Sequence, residues 1–295
     1  MFCPKCGQEN PPGANYCRRC GAALLPAGAL EPGVGSAFGH GWRTLRRNFA
    51  GLFLAVVVYL ALVIPVAVVL GLIVYFTTQG PFIFDTEHVL GELSWQFQLA
   101  NTVISIVYYI PLALGLFFVF LSAVRGQKTK LGDIFASFRN YPAVVLAAII
   151  FVVLSDGVSN LLSLLTAHLP VLGALLSIAW VVFYIVLVCK LAFTPLLLLD
   201  RRLKALDAIR ASWIMTRGHE WQIFAIGLLA VLMFVAVGII AFLITLIFIL
   251  LPFALFVGLI VGVIGFIFLS MWILSAYASL YHAVNPIAPP FPPAP

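Results

Sequence analysis

Charge is scarce in this chain. Asp, Glu, Lys and Arg make up only 9% of its 295 residues, where an ordinary soluble domain carries about a quarter. Hydrophobic residues make up 63%, with a mean hydropathy of +1.15, so a water-soluble globule is excluded. The usual signatures of soluble catalysis are missing too. There is no glycine-rich phosphate loop and no serine nucleophile elbow, and the sequence does not pair carboxylates on a soluble scaffold. His219-Glu220 opens an H-E-x-x-H pattern, but the closing position, 223, is Ile, and without its second histidine the zinc-protease motif fails. Residues 1 to 25 are polar and cysteine-rich, unlike a basic segment followed by a short apolar core, so no cleaved signal peptide is expected and the first apolar run is expected to direct insertion.

What the chain has instead is length without charge. A helix needs about 20 apolar residues to cross some 30 Å of hydrocarbon at 1.5 Å per residue. Six such runs fall at about 50 to 76, 99 to 124, 143 to 165, 171 to 194, 222 to 249 and 253 to 280. The formal charge of +6 is distributed just as tellingly. Beyond the N-terminal module there are thirteen Lys and Arg residues, and twelve lie in three places: Arg43 to Arg47, Arg125 to Arg139, and Arg201 to Arg217. These are alternate connections, and the intervening ones carry no basic residue. That asymmetry follows the positive-inside rule and puts both termini in the cytoplasm of a multi-pass membrane protein. Basic residues beside interfacial helices suit anionic lipid head groups. They need no nucleic acid to explain them.

The segment Asp200 to Trp221 is the longest basic, amphipathic island. Leu203, Leu206, Ile209 and Trp213 recur at spacings of 3, 3 and 4, one face of a surface helix. Asp207 near its start, Arg217 near its end and Gly218 as a stop suit the helix dipole and C-cap. Ala211-Ser212-Trp213 is echoed by Ala136-Ser137-Phe138, and the Ile209/Trp213 pair by Ile134/Phe138 and Phe38/Trp42. The pattern predicts three repeats, each an interfacial helix followed by a hairpin of two spans.

Within the spans, Pro65 and Pro111 predict kinks, tolerated where a neighbouring helix covers the freed carbonyls. Asp156, Asn160 and Ser163 share one face of span 3, and that face is expected to look into the bundle. An ionisable residue at such depth points to a polar functional site, or alternatively to a structural hydrogen-bond cluster. Lys190 is its candidate partner, although Lys190 lies nearer the cytoplasmic end of its own helix and is free to snorkel there. Cys189 reads as a small buried hydrophobe. The connection from Thr77 to Gln98 gathers Asp85, Glu87, His88 and Glu92, which without a second cluster reads as a solvated loop. Gly258, Gly262 and Gly265 suggest close helix approach in span 6.

The strongest site signal lies in the first 25 residues. Cys3, Cys6, Cys17 and Cys20 form C-x2-C, ten residues, C-x2-C. Two such knuckles supply four thiolates to one tetrahedral ion, the set Zn²⁺ accepts at about 2.3 Å. Gly7 and Gly21 follow the knuckles, Pro4 presets the first turn, and Phe2 and Tyr16 precede them as packing partners. A redox dithiol would need a βαβ context, and an iron-sulfur cluster a different spacing. In a reducing compartment, metal ligation is favoured over disulfides. A closed four-thiolate shell leaves no open position for catalysis, and so short a module depends on its metal to fold.

Residues 2 to 21 resemble the short bacterial zinc-ribbon family, with an aromatic residue, CPxCG, a Pro/Gly-rich connection, an aromatic residue and CxxCG. The resemblance implies structural Zn²⁺ on Cys3, Cys6, Cys17 and Cys20. The segment Pro195 to Phe224 resembles a motif of bacterial six-span proteins related to the membrane domain of some glycerophosphodiester phosphodiesterases. There the chemistry resides in an added soluble barrel, so no catalytic residue carries over and no enzymatic activity is expected.

The expected architecture is an all-α integral membrane protein with six transmembrane helices in three hairpin repeats. A zinc ribbon at 1 to 25 comes first, then a flexible linker at 26 to 37, the membrane domain at 38 to 283 and a proline-rich tail at 284 to 295. Two functions stay open: a cytoplasmic-membrane scaffold whose ribbon recruits a cytosolic protein, or a transporter or lipid-handling protein using the polar face of span 3. Lipid bilayer is the expected surrounding, nucleic acid is not an expected partner, and a homo-oligomer is left open.

Overall fold

Uncharged runs of this length can bury their backbone groups in a bilayer only by coiling into helices. The computed structural model describes Gln8, Arg19 and residues 30–78, 98–247 and 254–285, and among these residues helix is the only regular structure. Six helices are long and apolar enough to cross a membrane: Phe49–Ile73, Gln98–Val124, Leu131–His168, Pro170–Asp200, Glu220–Leu246 and Val257–Val284. They are spans 1 to 6 below, and the bundle end that carries the Arg- and Lys-rich connections is the basic end. The chain is thus a multi-pass membrane protein.

Three amphipathic segments lead into the odd-numbered spans, the second being the first ten residues of Leu131–His168. The first is a helix over Val34–Arg47, with Ala37, Gly41, Thr44 and Leu45 buried along one face and Arg46 and Arg47 in its last turn, where cations suit the dipole. It starts four residues before Phe38, inside the stretch expected to be a tether. Helix begins where the prolines stop, because no proline follows Pro32 until Pro65. The second, Leu131–Asn140, is a 3₁₀ helix and not the expected α-helix. Ile134 and Ser137 are fully buried and Asn140 half-buried, a spacing of three that keeps one stripe inward only at three residues per turn. The third is the helix Ala205–Met215, with Ala205, Ala208 and Ser212 buried.

Each segment docks on an even-numbered span. The Val34–Arg47 helix lies on span 6, where Trp272 Nε1 donates to the Phe38 carbonyl at 3.2 Å and the Trp272 ring meets those of Phe38 and Trp42 at 5.5 and 5.4 Å. A Cβ built on Gly41 would stand 2.7 Å from the Ala276 backbone nitrogen. The 3₁₀ segment lies on span 2: Ser137 Oγ donates to the Pro111 carbonyl at 2.6 Å, and a Cβ on Gly115 would overlap the Ile134 carbonyl oxygen. The Ala205–Met215 helix lies on span 4 through Ser212. The three repeats close in a ring, since the first segment packs on the last span. Their matched aromatics share one environment, with Trp42 37%, Phe138 42% and Trp213 40% exposed, as anchors at a lipid interface are.

Proline is accommodated as expected, by neighbours. Pro111 leaves the Val107 carbonyl four residues earlier without its helical donor, and Tyr141 Oη donates to that carbonyl at 3.0 Å. A π-helical turn over Ser105–Tyr109 precedes it. Near Pro65, Tyr108 Oη donates to the Leu62 carbonyl at 2.9 Å. Span 4 breaks at Ala192 and Phe193, before Pro195. There Ser212 Oγ receives the Phe193 N–H at 3.2 Å and donates to the Lys190 carbonyl at 2.9 Å, which Thr216 Oγ1 also reaches at 3.2 Å. Ser212 therefore repairs a broken helix from outside.

The buried core gathers at the basic end. It takes Leu52, Ala55 and Val56 from span 1, Leu112 to Val124 from span 2, Val144 and Ala147 from span 3, Cys189 to Leu198 from span 4, Ile223 and Ile226 from span 5, and Met271 to Tyr281 from span 6. Toward the far end the helices pair as hairpins, and large apolar side chains such as Phe183, Ile239 and Phe266 stand exposed for lipid.

The close crossings generate a test. Gly41→Ala and Gly115→Ala, which push a methyl into backbone, are expected to lower stability by about 1 to 3 kcal/mol each. Gly39→Ala meets nothing within 4 Å and is expected to raise it by up to about 1 kcal/mol through helix propensity. Thermal unfolding of the detergent-solubilised chain reads both.

Candidate functional site

The ends of spans 2, 4 and 6 converge on one buried polar network. Arg125 caps the end of span 2, Asp200 closes span 4, and Tyr281 lies one turn from the end of span 6. Arg125 Nη1 and Nη2 donate to Asp200 Oδ1 and Oδ2 at 2.6 and 2.8 Å, the bidentate fork that planar guanidinium and carboxylate favour. Tyr281 Oη donates to Asp200 Oδ2 at 2.9 Å, and Asn285 Nδ2 donates to Tyr281 Oη at 3.1 Å. Arg201 Nη2 donates to Asn285 Oδ1 at 2.6 Å. The Asp200 side chain is 1% exposed and that of Arg125 14%. With three donors on one enclosed carboxylate, no face is left open to a substrate, and the network acts as a clasp.

His40 sits beside it. Ser279 Oγ gives its proton to the Ser275 carbonyl at 2.7 Å, so it accepts from His40 Nδ1 at 3.0 Å. Burial first, and the Arg43 charge second, hold the His40 pKa below the usual 6.5.

A second junction lies between spans 4 and 5. Lys190 pairs with Glu220 and places its Nζ 5.6 Å from the centre of the Trp213 ring, a cation–π contact. Lys190 therefore does not meet Asp156. Lys190, ten residues before the end of span 4, is level with the start of span 5. Glu220 remains 35% exposed, so this pair contributes less than the clasp. Cys189 next to it is buried and free.

The polar face of span 3 corrects an expectation. Asp156, Asn160 and Ser163 are exposed and do not look into the bundle. Ser155 Oγ donates to Asp156 Oδ1 at 2.9 Å and Ser163 Oγ to the Asn160 carbonyl at 2.7 Å, both within span 3. A π-helical turn over Val153–Gly157 carries Asp156. The physical reason is that the buried core gathers at the basic end, while Val158–His168 packs mainly on span 4.

The four cysteines Cys3, Cys6, Cys17 and Cys20 lie outside the described residues, as do Asp85, Glu87, His88 and Glu92. Among the described residues no three His, Cys, Asp or Glu side chains cluster as metal ligands would. Of the residues that organise the basic end, sequence reading counted Arg125 among the basic connections and Asp200 as the start of the amphipathic island, but paired neither, and it gave no role to Tyr281 or Asn285. The available signal was depth: each stands at the end of an even-numbered span.

Two tests follow from this geometry. Asp200→Ala strands a buried guanidinium and is expected to cost about 3 to 5 kcal/mol, with the double change Arg125→Met, Asp200→Leu costing less; Glu220→Gln is expected to cost less than Asp200→Ala. Unfolding midpoints compare them. The lowered His40 pKa means the unfolded chain binds more protons, so stability is full above pH 6.5 and falls as pH drops below that value. In His40→Gln the acid-side slope should flatten.

Comparison with known proteins bears on the N-terminus alone. The zinc-ribbon domain family matches residues 2–24. No curated protein and no solved structure matches the chain.

Proposed function

We propose that the protein is a scaffold or regulatory protein of the cytoplasmic membrane whose zinc ribbon recruits a cytosolic partner. The observation that carries this reading is the zinc-ribbon match over residues 2–24, joined to a six-span bundle. All four cysteines of the two knuckles fall inside the matched segment. Four thiolates at that spacing suit Zn²⁺ as a structural ion. Cys3, Cys6, Cys17 and Cys20 would hold it, and the ion would give a short module the cross-link it needs to present a fixed surface.

The concentration of Lys and Arg in alternate connections favours an orientation with both termini in the cytoplasm of a bacterial cell. The ribbon then stands on the same side as the clasp formed by Arg125, Asp200 and Tyr281. A closed, rigid basic end suits an anchor for an attached module. The likeness of Pro195 to Phe224 to a membrane domain that carries soluble domains elsewhere supports the same role. In this reading the chain performs no catalysis of its own.

The test uses the full-length protein in native membranes. Wild type is expected to hold about one zinc per chain, and Cys17→Ser, Cys20→Ser to lose it while keeping its helicity and membrane insertion. Crosslinking from the ribbon should yield a partner from wild type that is missing from the variant. An identical set of crosslinked partners in both would overturn the proposal.

A further inference from the structure

A half-enclosed apolar cavity of about 190 Å³ lies where spans 2, 3 and 4 diverge. Ile110 and Leu114 of span 2, Val144 and Ala148 of span 3, and Thr194 and Leu198 of span 4 stand on its wall. Thr194 is 0% exposed, and its Oγ1 has no hydrogen-bond partner among the described residues. The Thr194 hydroxyl is closed off from this space, whose wall is almost wholly apolar, and such a wall suits a hydrocarbon chain.

The position of this cavity relative to charge narrows the occupant. Asn140 lies one turn before Val144, and its Nδ2 donates to the carbonyls of Leu198 and Leu203 at 3.0 Å each. That pair of bonds ties the entrance of span 3 to the end of span 4, directly toward the basic end from the cavity. Arg139 and Lys204 are the chain neighbours of Asn140 and Leu203, and both are exposed. The two segments that frame this rim, 125 to 140 and 200 to 217, carry nine Lys or Arg residues against three Asp. Asp200 is already neutralised by Arg125. An apolar slot under a basic rim matches an amphiphile with a hydrocarbon chain and an anionic head.

We propose that the cavity and its rim bind one anionic phospholipid. An acyl chain lies between spans 2, 3 and 4, and the phosphate rests on Arg139 and Lys204. Arginine supplies the bidentate fork to phosphate oxygens and lysine a point charge. The combination gives two signals, apolar burial and charge, which together distinguish a held lipid from one in the surrounding bilayer. The site is independent of the zinc ribbon.

Native mass spectrometry of the full chain in detergent, titrated with phosphatidylglycerol or phosphatidylcholine, tests it. Wild type is expected to retain one phosphatidylglycerol and to release phosphatidylcholine. Arg139→Ala with Lys204→Ala removes two exposed cations and is expected to weaken phosphatidylglycerol binding at least roughly tenfold. Ala148→Leu fills the slot and is expected to abolish retention, with its unfolding midpoint checked alongside. The rim variant alters only exposed side chains and so keeps the test independent of folding. Equal retention of the two lipids, or phosphatidylglycerol affinity unchanged in the rim variant, overturns the proposal.

Discussion

A carboxylate that is 1% exposed must be met on every side, and in this protein Asp200 of the second repeat is met by residues of the other two. Arg125 arrives from span 2 and Tyr281 from span 6, and Asn285 and Arg201 extend the chain of donors. Removing one member leaves another buried and unpaired, so the network specifies the arrangement of the even-numbered spans more than it adds net stability. The hydrophobic effect cannot supply that specificity inside a membrane, where lipid tails are as apolar as leucine. Polar clasps and close backbone crossings must supply it instead.

The three amphipathic segments do the second part of that work. Gly41, Ser137 and Ser212 occupy matching places, each one residue before an interfacial aromatic, and each sits against an even-numbered span. In two repeats the small residue is a serine whose hydroxyl bonds a carbonyl of the span, and in the third it is a glycine that admits the backbone itself. Small size is the shared requirement. Docking the first segment on span 6 closes the ring that the other two leave open.

This construction makes the two ends of the bundle different. At the basic end, segments, clasp and core exclude solvent. At the far end the hairpins separate, and the polar face of Asp156, Asn160 and Ser163 is exposed. The apolar cavity walled by Ile110, Val144 and Leu198 lies among spans 2, 3 and 4. The legibility of the zinc-ribbon segment in sequence has a different source. Coordination chemistry fixes thiolate spacing in sequence, so Cys3, Cys6, Cys17 and Cys20 can be read without any tertiary contact.

By itself the sequence determined the six spans, their alternating basic connections and the threefold recurrence of the amphipathic segments. Hydrocarbon thickness and the helical period leave visible marks along the chain. The tertiary structure alone decided which polar residues would meet. Arg125, Asp200 and Tyr281 are separated by 75 and 81 residues, and no local pattern joins them. Lys190 likewise met Glu220 and not Asp156, because lateral pairing depends on helix depth and packing order. The direction of the span 3 polar face was also a tertiary matter. An amphipathic stripe shows that a helix has two faces, but only its packing neighbours decide which face is covered.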